Sequence, residues 1–184
     1  MNARSFVLAI SLPLLPACGA VGSDATGAMG IVSCSLGCGA ADGGTFTCSV
    51  NQVAVNGQIA VEFSQPIDPE SLNALSFRVI SETGVVPSGD YVVDPVNPRR
   101  AIFLPTVDLT ASGGPQFGLN PMLDYTVSIP SAAGAAGGFF VTSTGGAANT
   151  VELECVVRPT LGVIDAMSGA PVVEMFIETI EPSV

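Results

Sequence analysis

The sequence predicts an all-β domain, a sandwich of about seven or eight short strands held by disulfides. Three observations carry that expectation. The chain of 184 residues contains 21 Gly and 14 Pro, while Val, Thr, Ile and Phe recur in short runs. Long periodic arrays of helix formers are missing, and β-branched or aromatic runs broken by turn residues are the pattern of strands. Finally, five cysteines follow an apolar N-terminal segment, and in an exported chain such cysteines pair.

The strands can be placed in order. Residues 46–55 (FTCSVNQVAV) form the first candidate, ending at Asn56-Gly57, a strong tight-turn pair. In 59–63, Ile59, Val61 and Phe63 alternate with Ala60 and Glu62, the period of a half-buried strand. Further candidates are 77–80, 91–93, 101–104, 125–129, 139–142 and 151–157, with turns at 66–70, 82–84, 87–90, 95–98 and 112–115. Pro66 and Pro69 cannot donate to a ladder, so the chain must leave the sheet there. Asp68 and Ser71 can cap a short helical turn over 70–74, with Ile67, Leu72 and Leu75 plugging the end of the sandwich. Arg99-Arg100 reads as a charged guard on an edge strand.

The N-terminus reads as an address. Arg4 precedes an apolar run, residues 5–15 (SFVLAISLPLL), of signal-peptide length and too short to span a bilayer. Residues 15–19 (LPACG) then resemble the bacterial lipobox, which implies a signal peptide over 1–17 and acylation of Cys18. The competing reading is an ordinary signal peptide cut nearby, for instance after Ala20. Acyl chains contribute about 0.8 kcal/mol per buried CH₂, so a lipidated Cys18 would hold the chain firmly on a membrane. Gly19 lacks the acid that retains enteric lipoproteins in the inner membrane, which favours the outer membrane. Residues 18–31 read as a small-residue flexible tether, 32–158 as the sandwich, and 159–184 as a linker or the start of a further module. The apolar stretch 172–180 has no obvious partner, so a longer protein is an open expectation.

With Cys18 assigned to lipid, Cys34, Cys38, Cys48 and Cys155 remain for two disulfides. Three pairings are open. Three of the cysteines crowd into fifteen residues, so at least one bridge must reach Cys155. The rival reading is a four-thiolate zinc site on the C-x3-C of Cys34 and Cys38, disfavoured by the missing second pair and by the oxidising compartment.

The stretch 56–129 resembles bacterial Ig-like domains of the S-layer type (Big_5-like). The resemblance rests on IAVEFSQPIDPESLNALSFRV (59–79), GDYVVD (89–94), AIFLP (101–105) and LDYTVSIP (123–130). It implies an Ig-like β-sandwich in an exported bacterial lipoprotein. The Gly/Pro-rich insertion at 109–122 and SAAGAAGGFF (131–140) depart from the family pattern.

Chemistry is sparse. The chain has no His and no Lys, which removes Ser-His-Asp and Cys-His systems, imidazole ligands and a lysine base. Asp68/Glu70 and Glu152/Glu154 are spaced to share a strand face, more simply a solvated face than a catalytic pair. The net charge of −11 becomes about −12 without Arg4 and repels phosphate backbones, so no nucleic-acid partner is expected. No cofactor is expected either. Calcium is the alternative, at a loop cluster drawing on Asp68, Glu70, Asp90, Asp94 or Asp108, although no spacing specifies it. The expected function is a non-catalytic, lipid-anchored structural or adhesive module of the cell envelope. Its expected partners are the membrane, through the lipid, and other envelope proteins or glycans. The alternatives are a calcium- or glycan-binding accessory domain, or the N-terminal part of a larger surface enzyme.

Overall fold

The computed structural model describes residues 27–40, 45–108, 116–160, 163–164 and 171–172. Two sheets face one another. The first holds, in spatial order, β1 (Ile31–Cys34), β5 (Ile59–Phe63), β8 (Arg100–Pro105) and β7 (Gly89–Val93), all antiparallel. In the second, β6 (Arg78–Ser81), β11 (Tyr125–Ile129) and β12 (Glu152–Thr160) lie side by side and antiparallel. Beyond β12 come β3 (Thr45–Cys48) and β2 (Cys38–Ala40), while β4 (Gln52–Ala54) takes the same flank of β12 further along.

This connectivity is that of an immunoglobulin-type sandwich. Taking β1, β5, β6, β7, β8, β11 and β12 as strands A to G, the sheets read A-B-E-D and C-F-G. A second signature of that class lies at the start of strand F, where the Tyr125 hydroxyl accepts a 2.9 Å hydrogen bond from the Asn120 amide, five residues upstream. The inserted β2–β3–β4 segment is the local addition. Two small antiparallel ladders, β9 (Val107–Asp108) with β10 (Gln116–Phe117) and β13 (Val163–Ile164) with β14 (Pro171–Val172), complete the described strands.

Alternation decides what enters the core. Strand β12 is the plainest case: Leu153, Cys155, Val157 and Pro159 are buried while Glu152, Glu154, Val156 and Arg158 face solvent. Phe63, Phe77 and Phe103 are the largest fully buried side chains, packed with Ile59, Val61, Val79, Val127 and Ile129 from both sheets. The Tyr91 ring joins them, 5.1 Å from Phe103 and edge-on to Phe77 at 5.8 Å. Gly89 is required beside this stack, because a Cβ there would lie 2.5 Å from the Phe103 ring.

Several expectations change. The strand expected over 46–55 is two strands: Ser49–Asn51 break away, and β3 and β4 each follow β12 in parallel. The Asn56-Gly57 turn is no hairpin, since β4 belongs to the second sheet and β5 to the first; the chain turns a corner between sheets. Residues 139–142 contribute an isolated bridge at Thr142 in place of a strand, after a glycine turn in which Gly137 and Gly138 have positive φ and Phe139 is exposed. A short 3-10 turn, Pro69–Ser71, is capped by Asp68; Ile67 and Leu72 plug the sandwich end, whereas Leu75 is 48% exposed. Arg100 stands on the central strand β8, opposite Glu62, so it guards no edge. Its charge is met by Asp94 at 3.6 Å. The packed structure reaches back to Met29, fully buried and bridged to Asn149, inside the segment expected to be a tether. It also continues forward, through the end of β12 at Thr160.

Candidate functional site

The described residues concentrate their distinctive chemistry where the inserted segment meets strand β12. Cys34 ends β1, and a turn closed by the Gly37 amide on the Cys34 carbonyl (3.2 Å) delivers Cys38 to the start of β2. Gly37 has φ +66° and faces Ser49, whose side chain would collide with any Cβ at that position. Glycine alone meets both demands. The turn is anchored on the body: the Ser35 amide donates to the Ala60 carbonyl (2.8 Å), and the Ala60 amide donates to Ser35 Oγ (3.0 Å). Leu36 is buried beneath it.

β2 and β3 then pair in antiparallel register, placing Cys38 directly opposite Cys48. The bridges, however, run Cys34–Cys38 and Cys48–Cys155, with Cα–Cα separations of 5.3 and 5.4 Å. The second ties the inserted hairpin to the central strand of the second sheet across 107 residues of sequence. All four sulfurs therefore meet in one cluster: Cys48 Sγ lies 3.7 Å from Cys38 Sγ and 4.0 Å from Cys34 Sγ. Cys155 is buried, whereas the other three are half-buried. Cys34 lines an open hollow of about 250 Å³ together with Ser35, Gln58, Glu62 and Arg100. As thiolates, Cys34, Cys38 and Cys48 are close enough to share a soft metal, all three sulfurs lying within 4.8 Å of one another.

The carboxylates named from the sequence are dispersed. Asp68 accepts from the Glu70 amide at 3.1 Å and serves as a cap, with Glu70 in the same turn. Asp94 holds the β7–β8 turn by accepting from the Val96 amide at 2.8 Å and pairs with Arg100. Asp90 is exposed on β7 and Asp108 is exposed on β9. Among the described residues, none of the five joins a group of three or more carboxylates within 4.8 Å of one another. Glu152 and Glu154 share the solvated face of β12. Cys18 lies outside the described residues.

Sequence reasoning missed two features. One is the convergence of the four sulfurs, for which the signal was the run of turn residues AADGG (40–44) between Cys38 and Cys48, enough to fold one back on the other. The other is the bidentate pair on the strand F–G seam, where Arg158 Nε and Nη2 donate to Asp124 Oδ1 and Oδ2 at 2.6 and 2.7 Å. That hydrogen-bonded guanidinium holds the Asp124 carboxyl below its ordinary 3.8.

Solved structures resemble this fold at low similarity, two of them as follows. One is native alpha-2-macroglobulin from Escherichia coli, spanning domains MG0-NIE-MG1, at 15% identity and a TM-score of 0.42 over 74% of this chain. The other is the N-terminal part of the bacterial S-layer protein SbsC, at 11% identity and 0.37, again over 74% of this chain. The matched regions amount to 34% and 25% of those chains. No family model matches the chain, and no curated protein does.

Proposed function

We propose that this protein is a structural or adhesive module of the bacterial cell envelope, held on the membrane by lipid at Cys18 and acting by contact without turnover. The observation that carries the reading is the outward face of β12, where Glu152 and Glu154 run into Val156 and Arg158, with Val156 58% exposed. Such a mixed acidic and apolar strip suits a protein or glycan surface better than a small substrate. The neighbouring hollow between Asn51, Gln52, Asp124 and Arg158 is open and about 380 Å³. It offers one ion pair and no nucleophile. The missing His and Lys agree with the same reading. The leader motif supplies the address.

The test is the intact mass of the protein extracted from the membrane fraction, followed by protease shaving of intact cells. Acyl mass on an N-terminal Cys18, together with release of the domain by shaving, is the expected outcome. A chain that begins at Met1 and fractionates with cytosol overturns the envelope role. For the contact role, the full-length protein should be retained by isolated envelope fragments, and Val156→Asp should weaken that retention at unchanged melting temperature. Equal retention of both proteins sinks the β12 face as the contact surface.

A further inference from the structure

We infer that the Cys34–Cys38 bridge is a thiol-reactive site, and that its opening starts an exchange relay ending in release of Cys155 from Cys48. Three observations carry it. Cys34 is half-buried and lines an open hollow, which gives a small thiol a route from solvent to this bridge. Cys48 Sγ, one half of the second bridge, lies 3.7 Å from Cys38 Sγ, in contact with the thiolate that the first step would set free. Cys38 and Cys48 are also directly opposed across the β2–β3 ladder. Opposed residues of an antiparallel pair have Cα atoms about 4.5–5.5 Å apart, inside the range a disulfide spans, so the alternative bridge needs no backbone movement.

The chemistry balances without an oxidant. An external thiolate attacks Cys34 Sγ, forming a mixed disulfide with Cys34 and expelling the Cys38 thiolate. Cys38 attacks Cys48 Sγ, forming Cys38–Cys48 and expelling the Cys155 thiolate, which takes up the proton that the external thiol gave up. Two disulfides enter and two leave; one thiol is consumed and one appears. With a dithiol as attacking reagent, its second sulfur displaces Cys34 and the net change is a two-electron reduction of the protein. The structural consequence is specific: the inserted hairpin becomes stapled to itself and loses its covalent tie to β12. Only the short parallel pairing of Thr45 and Phe46 with Glu152 and Leu153 then joins β3 to that strand. The site is thus a thiol-operated release of the hairpin, independent of whatever the outer face of β12 contacts.

Peptide mapping of the native, full-length protein after exposure to reduced glutathione tests this. The reaction is quenched in acid, free thiols are alkylated in denaturant, and digestion is carried out without reduction. The expected products are glutathione on Cys34, a Cys38–Cys48 cross-linked peptide and alkylated Cys155, appearing together. Glutathionylated Cys34 with alkylated Cys38 and an intact Cys48–Cys155 bridge overturns the relay, as does an absence of any adduct. A second measurement compares the Cys34→Ser/Cys38→Ser double variant, in which Cys155 should be released at least about tenfold more slowly because the neighbouring attacking thiol is gone. Release at the wild-type rate would mean direct attack on the second bridge and would also overturn the proposal.

Discussion

The body of the sandwich and the inserted hairpin are held by different physics. In the body, three phenylalanines and the aliphatic side chains of both sheets and their connecting loops are buried against one another, with β11 and β12 contributing strictly alternate residues. In β2 and β3, by contrast, no residue of described burial is fully enclosed, and Phe46 is only half-buried at the margin of that core. The hairpin is rich in Gly, Ala and Thr, which bury too little apolar surface to offset their ordering entropy. Its place is fixed by sulfur. The difference teaches that the disulfides serve as a substitute for a core where the sequence provides none, and that the body should tolerate their loss better than the hairpin does.

The largest effect should come from the long bridge. In the chain-entropy model, closing a loop of about 107 residues contributes about 5 kcal/mol, and closing the Cys34–Cys38 loop about 2 kcal/mol. Urea unfolding of Cys48→Ser/Cys155→Ser should therefore show more than twice the loss of Cys34→Ser/Cys38→Ser. Hydrogen exchange should reveal where the chain opens: amides of β2 and β3 should lose more protection than those of β8 and β11, which fall only by the drop in global stability. Uniform loss across all strands would break the comparison, since it would make the hairpin part of the same cooperative unit.

Next in size is a substitution on the other side of the divide. Phe103 is fully buried between Tyr91 and Gly89, so Phe103→Ala removes a large ring from a site walled by backbone. A loss of about 3–5 kcal/mol is expected, read from the shift in urea midpoint at constant slope. The disulfides should stay formed in this variant, as free-thiol titration would record. A loss below about 1 kcal/mol would show that the core closes over the cavity and would narrow the contrast between the two regions.

What the sequence disclosed follows the same divide. Strands of the body were legible because Ile59/Val61/Phe63, Tyr125/Val127/Ile129 and Leu153/Cys155/Val157 alternate, and each is buried as that period requires. The hairpin was not. Its strands carry little apolar signal, and parallel pairing of β3 and β4 with β12 joins residues over a hundred positions apart, a contact no local pattern encodes. Likewise, Phe139 and Phe140 looked like strand residues, but Gly137 and Gly138 set a turn that outweighs their propensity. Cysteine counting limited the pairings to three. Choosing among them needed the turn at Gly37, which brings Cys38 back to Cys34.

A smaller effect tests how tightly the body is packed. The Tyr91 hydroxyl is enclosed without a hydrogen bond of ordinary geometry, and burial pushes its phenol pKa up, opposed in part by the nearby Val79 backbone. A buried polar atom left unpaired carries an uncompensated desolvation cost, so Tyr91→Phe should leave stability unchanged or raise it by up to about 1 kcal/mol. A clear destabilisation in thermal melts would mean that the hydroxyl has found a partner the ring packing conceals.

The smallest effect belongs to the surface pair on the strand F–G seam. Asp124 sits below its ordinary 3.8 because Arg158 hydrogen-bonds its carboxylate, and Arg158 is raised by the same contact. A carboxyl depressed in the folded state contributes stability that is present above the unfolded value and lost as pH falls through the folded one. Asp124→Asn should therefore leave unfolding nearly unchanged in high salt at any pH, where exposed pairs are screened. In low salt it should remove part of the decline in stability that the wild type shows as the pH falls below 3.8. Because both side chains lie on the body, far in physical character from the sulfur-held hairpin, the variant should leave the exchange behaviour of Cys34 and Cys38 untouched. A change in their reactivity would instead tie the two regions together through β12, the strand that carries both Arg158 and Cys155.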